Sequence, residues 1–173
     1  MPSWQVKRGH GSFVTLDFGD PGLVVRPPRP RRTFIGEPDS VVPMRSTYVT
    51  GQWHLWIYRC QWRLAGEHGD LAHSESDDLT MTRALHVLNG QSLSGVEVGP
   101  DNGATTFSFD LGCVLTTEPV LNDQHSDEPV EQWKLRQPND EWLSVRSDGS
   151  YAVIDGTSAI QDAQWQPLPG KQR

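Results

Sequence analysis

A chain of 173 residues and 19.4 kDa has room for one ordinary core and little surplus for a second. With 35% hydrophobic and 21% charged residues it has a globular balance that excludes wholesale disorder, and no run approaches the roughly 18 apolar residues needed to span a bilayer. The net charge of −7 is uneven: residues 1–45 hold seven Lys/Arg and four Asp/Glu, or +3, leaving −10 for a remainder that repels nucleic acid and attracts basic partners.

The opening residues, Met1 to His10, lack the apolar stretch of a secretory signal, so the expected compartment is the cytoplasm. Phe13, Thr15 and Asp17 alternate with Val14, Leu16 and Phe18. Gly19-Asp20-Pro21-Gly22 then turns the chain into Leu23-Val24-Val25, a pattern that reads as a strand pair or β-arm. The run Arg26-Pro27-Pro28-Arg29-Pro30-Arg31-Arg32 has too many prolines for a central strand and reads as an exposed, extended connector. Its arginines can meet phosphates, but no aromatic stacking platform lies nearby, and nucleic acid is not the expected partner.

Tyr48 to Leu64 is the most informative stretch. From Trp53 to Tyr58 both alternating faces are apolar, as in a central strand covered on both sides; from Arg59 onward the odd face turns polar, and Trp62 is expected near water. The two cysteines, Cys60 and Cys113, sit in apolar strand patterns without a close Cys or His partner and read as buried free thiols. A polar loop from Gly66 to Glu75 leads to the one good helix. Ser76 or Asp77 can cap it, Met81, Ala84, Leu85 and Leu88 make one core-facing stripe, and Gly90 can end it.

Leu93 to Val98, a turn at Pro100-Asp101-Asn102-Gly103 and a long strand from Thr105 to about Thr117 predict a hairpin, with Gly112 marking a bulge or a close crossing. Short strands around Trp133, Trp142 and Tyr151 follow, separated by Pro138-Asn139-Asp140 and Asp148-Gly149. The predicted fold is α+β, a mainly antiparallel twisted meander of about 6–8 strands with one helix packed on a face. Residues 1–45 form the arm and connector, 46–155 the core domain, and 156–173 a tail pinned at its start by Trp165 and Leu168.

No phosphate loop, nucleophile elbow, zinc helix or paired Cys-x-x-Cys set is present, and neither a cofactor nor a catalytic set is predicted. Glu67, His68, Asp70 and His73, backed by Glu75, Asp77 and Asp78, have metal-ligand chemistry, but nothing in the loop makes them converge. A solvated acidic loop is the favoured reading. His54, between Trp53 and Trp56, can act as a general base if a carboxylate orients it, and Asp110 is the conceivable partner; a hydrogen-bonded core histidine is the plainer alternative. The tryptophans supply core volume first and a pocket or partner patch second.

Gly51-Gln52-Trp53-His54-Leu55-Trp56-Ile57-Tyr58-Arg59-Cys60-Gln61-Trp62-Arg63-Leu64, with Leu88-Asn89-Gly90-Gln91 and Phe107-Ser108-Phe109-Asp110-Leu111-Gly112, resembles a group of uncharacterised bacterial proteins over residues 48–118. In size, acidity and its Trp-rich strand the chain is also similar in style to immunity proteins of bacterial toxin systems. The resulting expectation is a non-enzymatic interaction protein that covers a basic partner with Glu67, Asp70, Glu75, Asp77, Asp78, Asp123, Asp127, Glu128 and Glu131, and with Trp62 as an anchor. The alternatives are a small-molecule binder or minor enzyme with a pocket of Trp53, His54 and Trp56, and an assembly subunit whose N-terminal arm docks on a neighbouring copy.

Overall fold

The computed structural model describes residues 1–29, 44–120, 128–156, 158 and 160–170. Among the described residues, short alternating segments build a mostly antiparallel sheet structure with a single α-helix. In chain order the elements are β1 (Ser3–Arg8), β2 (Val14–Phe18), β3 (Gly22–Arg29), β4 (Met44–Thr50), β5 (Trp53–Ile57), β6 (Cys60–Gly66) and β7 (Gly69–His73). Then come α1 (Asp78–His86), β8 (Leu93–Val98), β9 (Thr105–Phe109), β10 (Val114–Pro119), β11 (Glu131–Arg136), β12 (Glu141–Arg146), β13 (Ser150–Asp155) and β14 (Gln166–Pro167). A seven-stranded sheet runs β1-β2-β5-β11-β12-β13-β14, a five-stranded sheet runs β7-β6-β10-β9-β8, and β3-β4 is a separate two-stranded ribbon.

The expected single meander is therefore two sheets. They share one core: Val14, Leu16, Leu55, Ile57, Trp133 and Val145 come from the larger sheet, and Trp62, Leu64, Phe107, Phe109 and Leu115 from the smaller. Trp133 ties the two layers directly. Its indole N–H donates to Thr105 Oγ1 at 2.8 Å, and its ring meets Phe107 edge-on with centroids 5.6 Å apart.

The stretch expected to be one strand from Tyr48 to Leu64 belongs to three strands in three different sheets. Gly51 separates β4 from β5 where the chain presses on β2: a Cβ there would lie 2.4 Å from the Phe18 carbonyl oxygen. Between β5 and β6 the backbone turns through Arg59, whose φ is +54°, while the Tyr58 N–H donates to Gln132 O at 2.8 Å. This corner moves the chain from the large sheet to the small one and shifts the inward parity. Leu55 and Ile57 face the core before it; Cys60, Trp62 and Leu64 face it afterwards. Trp62 is 3% exposed, so its expected contact with water is corrected. Its indole donates instead to Ser12 O at 2.6 Å.

The helix follows its local signals. Asp77 caps it by accepting from the N–H groups of Leu79 and Thr80, and Met81, Ala84, Leu85 and Leu88 are buried. Gly90 takes a φ of +90° beyond it. The helix was expected on a sheet face, but α1 lies against β1 and β7, an edge strand of each sheet. At this position the helix turns its apolar stripe of Met81, Ala84, Leu85 and Leu88 into the shared core.

The expected strand from Thr105 to Thr117 is broken into β9 and β10 by a turn in which Gly112 has a φ of +86° and donates to Phe109 O at 3.1 Å. The N-terminal segment also differs from expectation. β2 pairs with β1 and β5 inside the large sheet, so the first strands are integral to the body, and β3 pairs with β4 alone. Arg26 and Arg29 fall on β3, whereas Arg31 and Arg32 lie outside the described residues. The meander β11-β12-β13 has the expected turns, with Asp140 at φ +64° and Gly149 at φ +68°. Among the described residues no helix is long and apolar enough to cross a membrane.

Candidate functional site

Between the sheets, at the side bounded by β8, the core does not close. The large sheet presents Phe18, Trp53, Leu55, Trp133, Leu135 and Leu143 to a cavity of about 330 Å³, and the small sheet presents Leu93, Val96 and Phe107. Met1 completes the wall. Val96 and Met1 are the wall residues most open to solvent, 44% and 59% exposed. The lining is almost wholly hydrocarbon and aromatic, so the space offers packing and little hydrogen bonding. Of the two indoles on the wall, that of Trp133 is committed to Thr105 and that of Trp53 makes no hydrogen bond among the described residues.

On the opposite face of β5 stand His54, Trp56 and Tyr58. The predicted grouping of Trp53, His54 and Trp56 therefore divides: Trp53 lines the cavity, while His54 and Trp56 project to the outer face of the large sheet. There Lys134 stacks over three rings, 4.6 Å from the Trp56 centroid, 5.5 Å from Tyr58 and 4.8 Å from Trp142. Burial lowers the Lys134 ammonium below the ordinary lysine range, with the Glu131 carboxylate acting the other way. Burial, reinforced by Glu131, raises the Tyr58 phenol well above its ordinary value.

His54 does have a carboxylate partner, but it is Asp17 and not Asp110. Asp17 is 4% exposed, and its Oδ1 lies 3.0 Å from His54 Nδ1 while accepting from Thr50 Oγ1 and Gly51 N–H, each at 2.8 Å. Burial pushes this carboxyl upward, yet the hydrogen bonds from His54, Gly51 and Thr50 together outweigh it and hold the group below the usual carboxylate range. Arg136 extends the network through Thr50 Oγ1 at 3.0 Å and Gly51 O at 2.9 Å. The arrangement orients an imidazole and anchors the root of the ribbon. Among the described residues no side-chain hydroxyl or thiol is hydrogen-bonded to His54. Asp110 serves locally: its Oδ1 accepts from Ser92 N–H at 2.7 Å.

The acidic residues proposed to face a partner are unequal. Asp70 is held by Arg63, with Nε to Oδ1 at 2.6 Å, Asp78 pairs with Arg8, and Asp77 is spent on the helix cap. Glu67, Glu75 and Glu128 are exposed and in no ion pair among the described residues. Glu131 is half-buried beside Tyr58 and Lys134. Asp123 and Asp127 lie outside the described residues. No three His, Cys, Asp or Glu side chains among the described residues gather as a metal site requires, and Asp70 is committed to Arg63. Cys60 and Cys113 are buried and free; burial pushes the Cys60 thiol up to about 12.

No family model matches the chain, and neither a curated protein nor a solved structure is detectably similar to it. The site must therefore be read from its own geometry. The cavity residues carried a partial signal, since Phe18, Leu93, Phe107, Leu135 and Leu143 fit strand alternation. Their meeting across two sheets had none. Asp17 carried the same signal as Asp110, a lone carboxylate in an apolar strand, and only the pairing of β2 with β5 brings it to His54.

Proposed function

We propose that this protein is a binding domain that takes a small, neutral, apolar molecule between its sheets. The supporting observation is the inter-sheet cavity, whose about 330 Å³ falls at the lower end of ordinary ligand sites. It is about twice the ~150 Å³ that houses a single benzene ring, so a two-ring aromatic or a medium-length acyl chain is the fitting class. Burying about 200 Å² of apolar ligand surface would contribute roughly 5 kcal/mol before the costs of association, which corresponds to binding no tighter than about 0.2 mM from this term alone. The nearly unbroken apolar wall disfavours charged ligands, which would lose hydration without recovering hydrogen bonds.

The test is titration with 1-aminonaphthalene, a neutral two-ring fluorophore. Saturable binding with quenching of tryptophan emission is expected, and Leu143→Trp, which fills the space from the β12 side, should abolish it while the protein stays folded. Absence of saturable binding to the parent, or undiminished binding to folded Leu143→Trp, would overturn the reading.

A second reading is an inhibitor- or immunity-type protein that covers a basic partner. It is favoured by Glu67, Glu75 and Glu128, which are exposed and in no ion pair among the described residues. It requires association that weakens with salt and with the triple change of these residues to Gln; association indifferent to both counts against it.

A further inference from the structure

The chain as a whole is acidic, at −7, yet one surface groove carries four basic side chains and, among the described residues, no acidic one. It lies where α1 packs against β1, has a volume of about 560 Å³, and includes the buried Val6 and Leu85 in its lining. Lys7 and Arg8 line it from the strand, Arg83 and His86 from the helix. Arg8 is neutralised by Asp78. Lys7, Arg83 and His86 are exposed and in no ion pair among the described residues. The groove shares no described lining residue with the inter-sheet cavity.

Basic residues in the last turn of a helix ordinarily answer its free carbonyls. Here those carbonyls are already engaged. Ala84 O, Leu85 O, His86 O and Leu88 O accept from the N–H groups of Val87, Leu88, Asn89 and Gln91 at 3.0–3.1 Å, and Val87 O accepts from Gln91 Nε2 at 3.0 Å. The Arg83 guanidinium therefore keeps its donors for another acceptor. The tautomer of His86 is set as well. Val6 N–H donates to Asn89 Oδ1 at 3.1 Å, which turns the Asn89 amide nitrogen to His86 Nδ1 at 3.0 Å. Nδ1 accepts, so the ring proton sits on Nε2, a donor even when the imidazole is neutral. Lys7 gives one N–H to Gln5 Oε1 at 2.8 Å and has two left.

We propose that this groove binds a compact phosphate monoester. Such a group carries about −1.5 to −2 charges at pH 7 and three strong acceptor oxygens, which match the fixed charges of Lys7 and Arg83 and the three donor side chains. A carboxylate leaves one of the two cations unanswered. A long polyanion gains at the groove but is repelled by the rest of an acidic chain, so charge favours a small molecule over a nucleic acid. The hydrocarbon of Val6 and Leu85 gives the organic part of the ester a surface to rest on.

Phenyl phosphate, titrated into the isotope-labelled full chain and followed by amide and side-chain N–H resonances, tests the proposal. Saturable shifts centred on residues 6–8 and 82–86 are expected, with weaker binding of inorganic phosphate at the same residues. Lys7→Gln and Arg83→Gln, both exposed changes, should each weaken binding about fivefold or more and together abolish it. Arg45→Gln, an exposed change outside the groove, should leave it unaltered. Absence of saturable shifts up to tens of millimolar, or undiminished binding to the folded double variant, would overturn the proposal. So would benzoate or an oligothymidylate that binds the groove as tightly as phenyl phosphate does.

Discussion

Replacing Asp17 by Asn removes a buried charge while leaving an oxygen of similar size in place. Three donors converge on Oδ1, from Thr50 and Gly51 at 2.8 Å and from His54 at 3.0 Å. Hydrogen bonds to an ionised acceptor contribute about 1.5–3 kcal/mol each and neutral ones about 1, so the loss is roughly 2–4 kcal/mol at neutral pH. In urea this lowers the unfolding midpoint by about 1–2 M at the usual slope for a small protein. The pH dependence has a definite sign. The folded-state pKa of Asp17 lies below its ordinary 3.8, so its contribution is complete above that value and is lost as pH falls through the folded-state pKa. Parent and Asp17→Asn should thus differ most at neutral pH and converge in acid. A difference under about 0.5 kcal/mol at pH 7, or curves that stay parallel into strong acid, would refute the reasoning.

Gly51→Ala should destabilise by about 2 kcal/mol or more in the same assay, because the added carbon falls 2.4 Å from Phe18 O and 2.8 Å from Phe18 N, where backbone must move. Cys60 should resist a disulfide reagent in the native protein at pH 8 and react promptly in denaturant, since its buried thiol is pushed up to about 12. Prompt native reaction of Cys60, resolved by peptide mapping, would contradict its placement.

What could be read in advance was local. The cap at Asp77, the stripe of Met81, Ala84, Leu85 and Leu88, and Gly90 lie within a few turns of chain, and each acts through its neighbours. The hairpin turns at Asn102-Gly103 and Asp148-Gly149 have the same character. The misread parts depend on distant segments. Trp62 looked exposed because its neighbours Gln61 and Arg63 are polar, yet those residues occupy the outer face and Trp62 the inner. Arg59 takes a left-handed backbone without the glycine or asparagine that usually announces one, so the break between β5 and β6 had no sign. The cavity needed both sheets and their facing residues before it could be seen, and the partner of His54 needed the register of β2 against β5.

The corner at Tyr58 and Arg59 also fixes a length. Side chains on a strand alternate with a period of two, so losing one residue between Ile57 and Cys60 would turn Gln61 and Arg63 inward and Trp62 and Leu64 outward along all of β6. Insertions elsewhere can be absorbed at exposed turns such as that between β6 and β7, whereas a single added or missing residue here inverts a whole strand. In descendants of this sequence, the count of residues across that bend should drift less than their identities.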